Sequence, residues 1–481
     1  MKPLFSVGFL FVALAGSVYG IAGIDTAPAP SAPRETAFTQ PKETKLANGL
    51  RVIVIERPNL PLLAAEVLIR NGAEIDPKEL AGTASMAGSL LTKGTESMTA
   101  PQIASAIESL GGTIDSGAYW DASRATTVVM SDKAEPALKI LSDVVLHPTF
   151  KEEEIGRLKN QILDGLRVAM RQPGALAQFV MNRVLFGDAP YGHSHIGTME
   201  TVQAIKRDDI VKLYQTYYVP ENAALILSGN LTLEQGKKWA EQFFGEWKGT
   251  MPPRGAAPPE TDWKPSNVIV DMPEAGQAAV LVARPGIKRD SPDYYVGILA
   301  NAALGNGFVS RLNREIRIKR GLSYGARSSL DSRRDVGPFS AMAQTKNESA
   351  AEVATLMQTE LKRMKSEPVQ GAELKSRQAK LTGDYARSLE SNGGFVGKMS
   401  AMVSYDLPLE TINKFSPTIN AVTSEDITAF VTKYFDTPQS LIIIGKVGAF
   451  LEPLKKNFPE VKVIPVPELD LNRADLTKAK P

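Results

Sequence analysis

Ala204–Gly229 reads AIKRDDIVKLYQTYYVPENAALILSG, and Ala421–Gly445 reads AVTSEDITAFVTKYFDTPQSLIIIG. Laid over each other from the first residue, Asp209 meets Asp426, Ile210 meets Ile427 and Tyr217 meets Tyr434. Each stretch reads as an amphipathic helix, a turn carrying Pro220 or Pro438, and an apolar strand. The same unit near the end of each half of the chain implies an internal duplication. Met251–Pro259, rich in Pro and Gly, lies between the copies as a linker. The expected organisation is two homologous domains at 42–250 and 263–470, joined by a linker at 251–262 and followed by a tail at 471–481.

Within the first half, Asn48-Gly49 precedes an expected strand at 50–56, and a second strand is expected at 63–70. Ile103, Ile107 and Leu110 form one helical stripe; Leu138, Leu141 and Val145 form another, with a strand at 125–130 between them. Ile155, Leu158, Ile162 and Leu166 outline a long amphipathic helix. Paired strands alternating with helices, without regular βαβ spacing, predict an α+β fold in which each domain is a mostly antiparallel sheet covered by helices on one face.

Composition narrows the function. The chain has 481 residues, 43% of them hydrophobic and 22% charged, too many for one ordinary core. Its 55 Lys+Arg nearly balance 53 Asp+Glu, and no run of like charge is long enough to follow a phosphate backbone, so nucleic acid is not an expected partner. There is no cysteine, which excludes disulfides, thiol nucleophiles and Cys-based zinc sites, and only three histidines, His147, His193 and His195. At the N-terminus, Lys2, the apolar stretch Leu4–Ala15 and the small residues near Gly20 predict a signal peptide over 1–20. A membrane anchor is the alternative, although the apolar run falls short of the ~20 residues a span needs. Residues 21–41, rich in Pro and Ala, read as a tether. An exported chain without disulfides fits a bacterial periplasm.

Several small motifs have plain readings. His193 and His195 form an H-x-H pair that could chelate a metal or simply belong to a Pro-Tyr-Gly loop, and His147 reads as a helix C-terminal residue. Gly305-Asn306-Gly307 is only part of a dinucleotide fingerprint. Ser85 and Ser89 have no base paired with them in sequence, so serine catalysis is not expected.

The segment Gly82–Thr95, GTASMAGSLLTKGT, preceded by Arg70-Asn71-Gly72-Ala73-Glu74, resembles the zinc-site helix of the insulinase or pitrilysin family of metallopeptidases. Active members carry H-x-x-E-H there, two zinc-binding imidazoles and a carboxylate that polarises water. The resemblance puts Ser85, Gly88 and Ser89 at those three positions, with no metal ligand among them, and sets the family's later acidic pair near Asp164 and Gly165. Phe308–Tyr324 resembles the second hallmark of the family, an Arg and a Tyr, here Arg317 and Tyr324, at a helix end and the start of a strand. A guanidinium is always charged and a phenol donates without carrying negative charge, so both suit an oxyanion.

The resemblance runs through nearly the whole chain after the tether. It implies two similar domains forming half of a clamshell, and a role like that of the zinc-free subunit of mitochondrial processing peptidase or of bacterial periplasmic pairs. The partner would bring the zinc; this chain would bind no metal and would supply Arg317 and Tyr324 in trans to bind peptide substrate and stabilise the transition state. Residues 112–119 match the region where active relatives add a substrate strand. A non-enzymatic peptide-binding or scaffold protein of the same fold is the alternative. Substrate, partner and the choice between homodimer and heterodimer stay open at the level of sequence.

Overall fold

The computed structural model of the chain describes residues 37–251 and 263–479. The expected signal peptide, most of the tether and residues 252–262 of the linker lie outside the described residues.

The first half builds a six-stranded sheet from β1 (Lys42–Lys45), β2 (Arg51–Glu56), β3 (Leu62–Ile69), β4 (Thr113–Ala118), β5 (Ser123–Met130) and β6 (Ala223–Gly229), in the order β1-β2-β6-β3-β5-β4. The second uses β7 (Asn267–Asp271), β8 (Ala278–Pro285), β9 (Ala326–Leu330), β10 (Pro338–Thr345), β11 (Ser440–Gly445) and β12 (Lys462–Pro465), in the order β12-β7-β11-β8-β10-β9. In the first sheet only β2 and β6 run parallel. In the second, β7 runs parallel to both β11 and β12. Both sheets are therefore mixed, and β2, β3, β4, β5 and β6 have their counterparts in β7, β8, β9, β10 and β11.

The repeated sequence has a physical cause. Asp209 and Asp426 each occupy the third position of a helix, Arg207–Tyr217 and Ser424–Tyr434. Their carboxylates accept the backbone N–H of the preceding Lys206 at 2.8 Å and Thr423 at 2.9 Å, which satisfies a donor that the first turn leaves unpaired. Ile210 and Ile427 follow as fully buried anchors, and the chain then returns as β6 or β11 in the interior of its sheet.

One expectation needs correction: the sheets are covered on both faces, and the second cover comes from the other half. On β3, Leu63, Ala65, Val67 and Ile69 face the helices of their own domain. Ala64 and Leu68, on the opposite face, pack with Ile53, Ile55 and Ile226 against Phe395, Val396 and Met399 of the helix Asn392–Ser404. Reciprocally, Leu176, Val180 and Met181 of the helix Pro173–Phe186 cover Val270, Leu281, Ile442 and Ile444. Strands such as RVIVIE and SLIIIG are apolar at successive positions because both faces are buried, and a period of two shows only where one face meets water.

Other segments tie the halves together. Leu476 of the expected tail is buried, Arg183 Nε donates to the Leu471 carbonyl at 2.6 Å, and Thr198 Oγ1 donates to Asn472 Oδ1 at 2.9 Å. Phe38, within the stretch expected as a tether, exchanges backbone hydrogen bonds with the Asn413 side chain at 2.8 and 3.0 Å. The connection between β9 and β10 inserts Arg334 into the first half. Its guanidinium donates to Glu74 Oε1 at 2.7 Å and to the carbonyls of Arg70 and Asp121 at 2.7 and 2.8 Å. Burial opposes the charge on Arg334, but Glu74 and Asp121 outweigh it and raise its pKa above the ordinary guanidinium value. Arg333 beside it lies over the Trp120 ring, 4.2 Å from its centroid, and is paired with Asp331.

Glu66 is the exception in this apolar seam. It lies on β3, 2% exposed, with Oε1 lacking a hydrogen-bond partner. Burial raises its pKa from an ordinary 4.5 to about 7, opposed by the Ser400 hydroxyl and the charge of Arg124. Because the folded value is the higher one, the folded chain gains stability from the protonated acid at low pH and loses it as pH rises through about 7. Glu66→Gln removes that loss. The variant is expected to match the wild type near pH 5 and to exceed it by about 2–3 kcal/mol near pH 8.5, as read by denaturant unfolding at the two pH values. A constant difference across pH would contradict this.

Candidate functional site

The helix Thr83–Leu90 starts where Gly82 takes φ +102° and Asp76 accepts the N–H groups of Gly82 and Ala84 at 2.8 and 2.9 Å. Ser85 and Ser89 are partly exposed on it, and Gly88 is buried. A Cβ at Gly88 would stand 2.6 Å from the Gly117 carbonyl carbon and 2.7 Å from the Ala118 nitrogen. The helix therefore lies directly on the backbone of β4, the edge strand that contains most of residues 112–119. A side chain at position 88 requires that strand to move. Asp164 sits on the long helix Glu152–Ala169, largely exposed and paired with Arg167, and Gly165 next to it faces open space.

The hydroxyls of Ser85 and Ser89 and the bare backbone of Gly88 do not fit zinc. Among the described residues, no three His, Asp or Glu side chains gather where they could hold a metal ion. His147 caps the helix Ala134–Leu146, as its position in sequence suggests. His193 is buried with Nδ1 facing the Ser194 carbonyl at 3.1 Å, and His195 packs against Tyr119 and Trp120. Gly305 is explained by packing: a Cβ there would stand 2.3 Å from the backbone nitrogen of Ser328. Restoring the motif by Ser85→His, Gly88→Glu and Ser89→His is expected to yield a destabilised protein without stoichiometric zinc, because overpacking against backbone costs about 1–3 kcal/mol before any ligand geometry is met. Metal analysis of the purified triple variant checks this; one zinc per chain at unchanged stability would refute it.

Arg317 and Tyr324 come together. The helix Arg311–Asn313 runs into a π-helical turn, Arg314–Lys319, a conformation often associated with functional sites. Ile316 anchors the turn in the core, and Glu315 holds it from below by pairing with Lys319 at 2.9 Å and Arg320 at 2.8 Å. The chain then reverses at Gly321, where φ is +64°, and Leu322 N–H donates to the Ile316 carbonyl at 2.9 Å. Tyr324 follows in the bend just ahead of β9, and its ring is 89% exposed. The Arg317 guanidinium lies 4.9 Å from the centroid of the exposed Phe308 ring.

Both residues line an open cleft of about 540 Å³, with Arg327, Asn313 and Gln344 among its polar walls and Met342 on its floor. The arrangement offers two guanidiniums, a phenol and side-chain amides to a ligand, but no carboxylate, imidazole or thiol to act as base or nucleophile. It can bind and stabilise negative charge. Arg327 was not singled out by the sequence, since an arginine in a short strand carries no motif.

Paired mixed sheets, each also covered by a helix of the other half, define a chain of two homologous α+β domains. Residues 51–198 match the family described as Insulinase (Peptidase family M16), and residues 204–381 match the Peptidase M16 inactive domain. The chain belongs to this insulinase family of peptidases. It is similar to the crystal structure of a peptidase M16 inactive domain from Pseudomonas fluorescens, at 29% identity and a TM-score of 0.79 over 84% of this chain and 98% of that one. A protease from Helicobacter pylori shares the fold at 19% identity and a TM-score of 0.77, over 85% of this chain and 100% of that one. An uncharacterized zinc protease of Bacillus subtilis is 24% identical over 404 residues, 83% of this chain and 97% of its own length.

Proposed function

We propose that this chain is the zinc-free subunit of a heterodimeric zinc endopeptidase in the periplasm. The observation that carries the proposal is an asymmetry between its halves. By the resemblance of Gly82–Thr95 to the family's zinc-site helix, Ser85, Gly88 and Ser89 of the first half stand at the ligand positions, and Gly88 is pressed on β4; the second half presents Arg317 and Tyr324 on an open cleft. Zinc, which supplies Lewis-acid activation of water in peptidases of this kind, belongs to the partner on this reading. Arg317 and Tyr324 then bind the substrate backbone and donate hydrogen bonds to the scissile carbonyl oxygen as it gains negative charge. The Gly321 turn and the Ile316 anchor fix where the two groups stand, so they need little reorganisation when substrate arrives.

The test is purification of the tagged chain from its native cell envelope, with metal analysis of what comes with it. A second, zinc-bearing chain of the same family at equal stoichiometry is expected. Recovery of the chain alone, or with copies of itself only, would favour the scaffold reading instead.

A further inference from the structure

The carboxylates around the Arg317 cleft are already committed elsewhere. Glu315 faces Lys319 and Arg320, Glu373 pairs with Arg311 at 2.7 Å, and Asp331 pairs with Arg333 at 2.6 Å. Among the described residues, Arg317 and Arg327 form no ion pair, and no acidic residue lines the cleft with them. Arg327 stands opposite Met342 in the β9–β10 register, so the two share one face of the sheet.

These same two residues also line a second cleft of about 560 Å³ where the halves meet, bounded by Tyr119, Trp120 and His195. The clefts are thus continuous along β9, an edge strand of five residues, or ~17 Å. The far end adds little charge. Arg333 is balanced by Asp331, and burial together with Arg333 pushes His195 down to about 4, leaving it neutral. Excess positive charge therefore sits in the middle and at one end of the groove, flanked by the exposed ring of Phe308 and by Tyr119 at the other end.

We infer that the groove along β9 selects peptide segments bearing a carboxylate next to apolar residues, with Arg327 as the specificity-determining residue. This rests on the subunit reading only for the fate of the bound peptide. Binding itself is a property of this chain. The carboxylate could belong to an internal Asp or Glu or to the end of a peptide, and the two sources share one chemistry: a charge-assisted, bidentate contact to a guanidinium.

The experiment uses the full chain without a partner and three fluorescent, N-acetylated peptides of one apolar sequence. One has a central Glu and an amidated end, one has Gln in its place and an amidated end, and one has Gln and a free C-terminal carboxylate. Fluorescence anisotropy is expected to give about tenfold tighter binding for a carboxylate peptide than for the Gln amide at low salt. That preference should shrink at high salt. Which of the two acidic peptides wins identifies the source of the carboxylate. Arg327→Gln should reduce the preference to about twofold. Equal binding of all three peptides, absence of binding, or a preference that survives Arg327→Gln would each overturn the inference. None of these results depends on zinc or turnover, so they leave the subunit reading to its own test.

Discussion

Arg334→Ala is expected to destabilise the folded chain by about 3–5 kcal/mol. The guanidinium is 15% exposed, and it satisfies Glu74 together with the carbonyls of Arg70 and Asp121 in the other half of the chain. Burial already raises the pKa of Glu74 to about 7 against the pull of Arg334, so removing the cation strands those carbonyls at any pH and, above about pH 7, also sets the cost of burying an uncompensated carboxylate against the protonation of Glu74. The signature that separates this from simple loss of packing is a second variant: adding Glu74→Gln should recover at least about 1 kcal/mol by removing the orphaned charge. Limited proteolysis should meanwhile cut Arg334→Ala more readily around 331–337 and 392–404, the segments through which the halves hold each other. Unchanged unfolding in Arg334→Ala would contradict the account of that junction.

The second large effect concerns turnover. In the assembled enzyme, Arg317→Ala and Tyr324→Phe are each expected to lower kcat by ~10²–10³, the usual consequence of deleting one donor to a developing oxyanion. Both side chains are exposed, so neither change should alter the stability of the chain or its association with the partner. If Tyr324 acts through its hydroxyl, Phe should be as damaging as Ala. If it merely offers a ring for packing, Phe should retain activity. Steady-state kinetics with a peptide substrate distinguishes the two, and full turnover in both variants would remove Arg317 and Tyr324 from the mechanism.

Much of this was legible in the residues. The duplicated unit was readable because helix capping and strand burial impose the same identities twice, Asp209 with Asp426 and Ile210 with Ile427. The resemblance singles out Ser85, Gly88 and Ser89, and it pairs Arg317 with Tyr324, two residues that line one cleft. What escaped was long-range. That the helix Asn392–Ser404 covers the first sheet, and Pro173–Phe186 the second, depends on which apolar face meets which; a hydrophobic pattern records that a face is buried, not by what. Arg333 and Arg334 lie in a polar hairpin connection that reads as solvated, yet they reach the first half because the two sheets stand close at that point. Glu66 reads as the polar partner in an alternating strand and is instead sealed under a helix contributed by the other half. The resemblance sets Gly88 at the position of the family's carboxylate, but its contact with β4 belongs to tertiary structure alone.

The central claim is that this chain contributes binding and charge stabilisation to a metal centre it does not own. The most direct measurement is peptidase activity under identical conditions for the isolated chain, for the complex purified with its partner, and for that complex after chelation and after zinc is restored. The account predicts activity only in the complex, lost with the chelator and regained with zinc. Chelator-sensitive hydrolysis by the isolated chain, or a complex whose activity is indifferent to chelation, would contradict it.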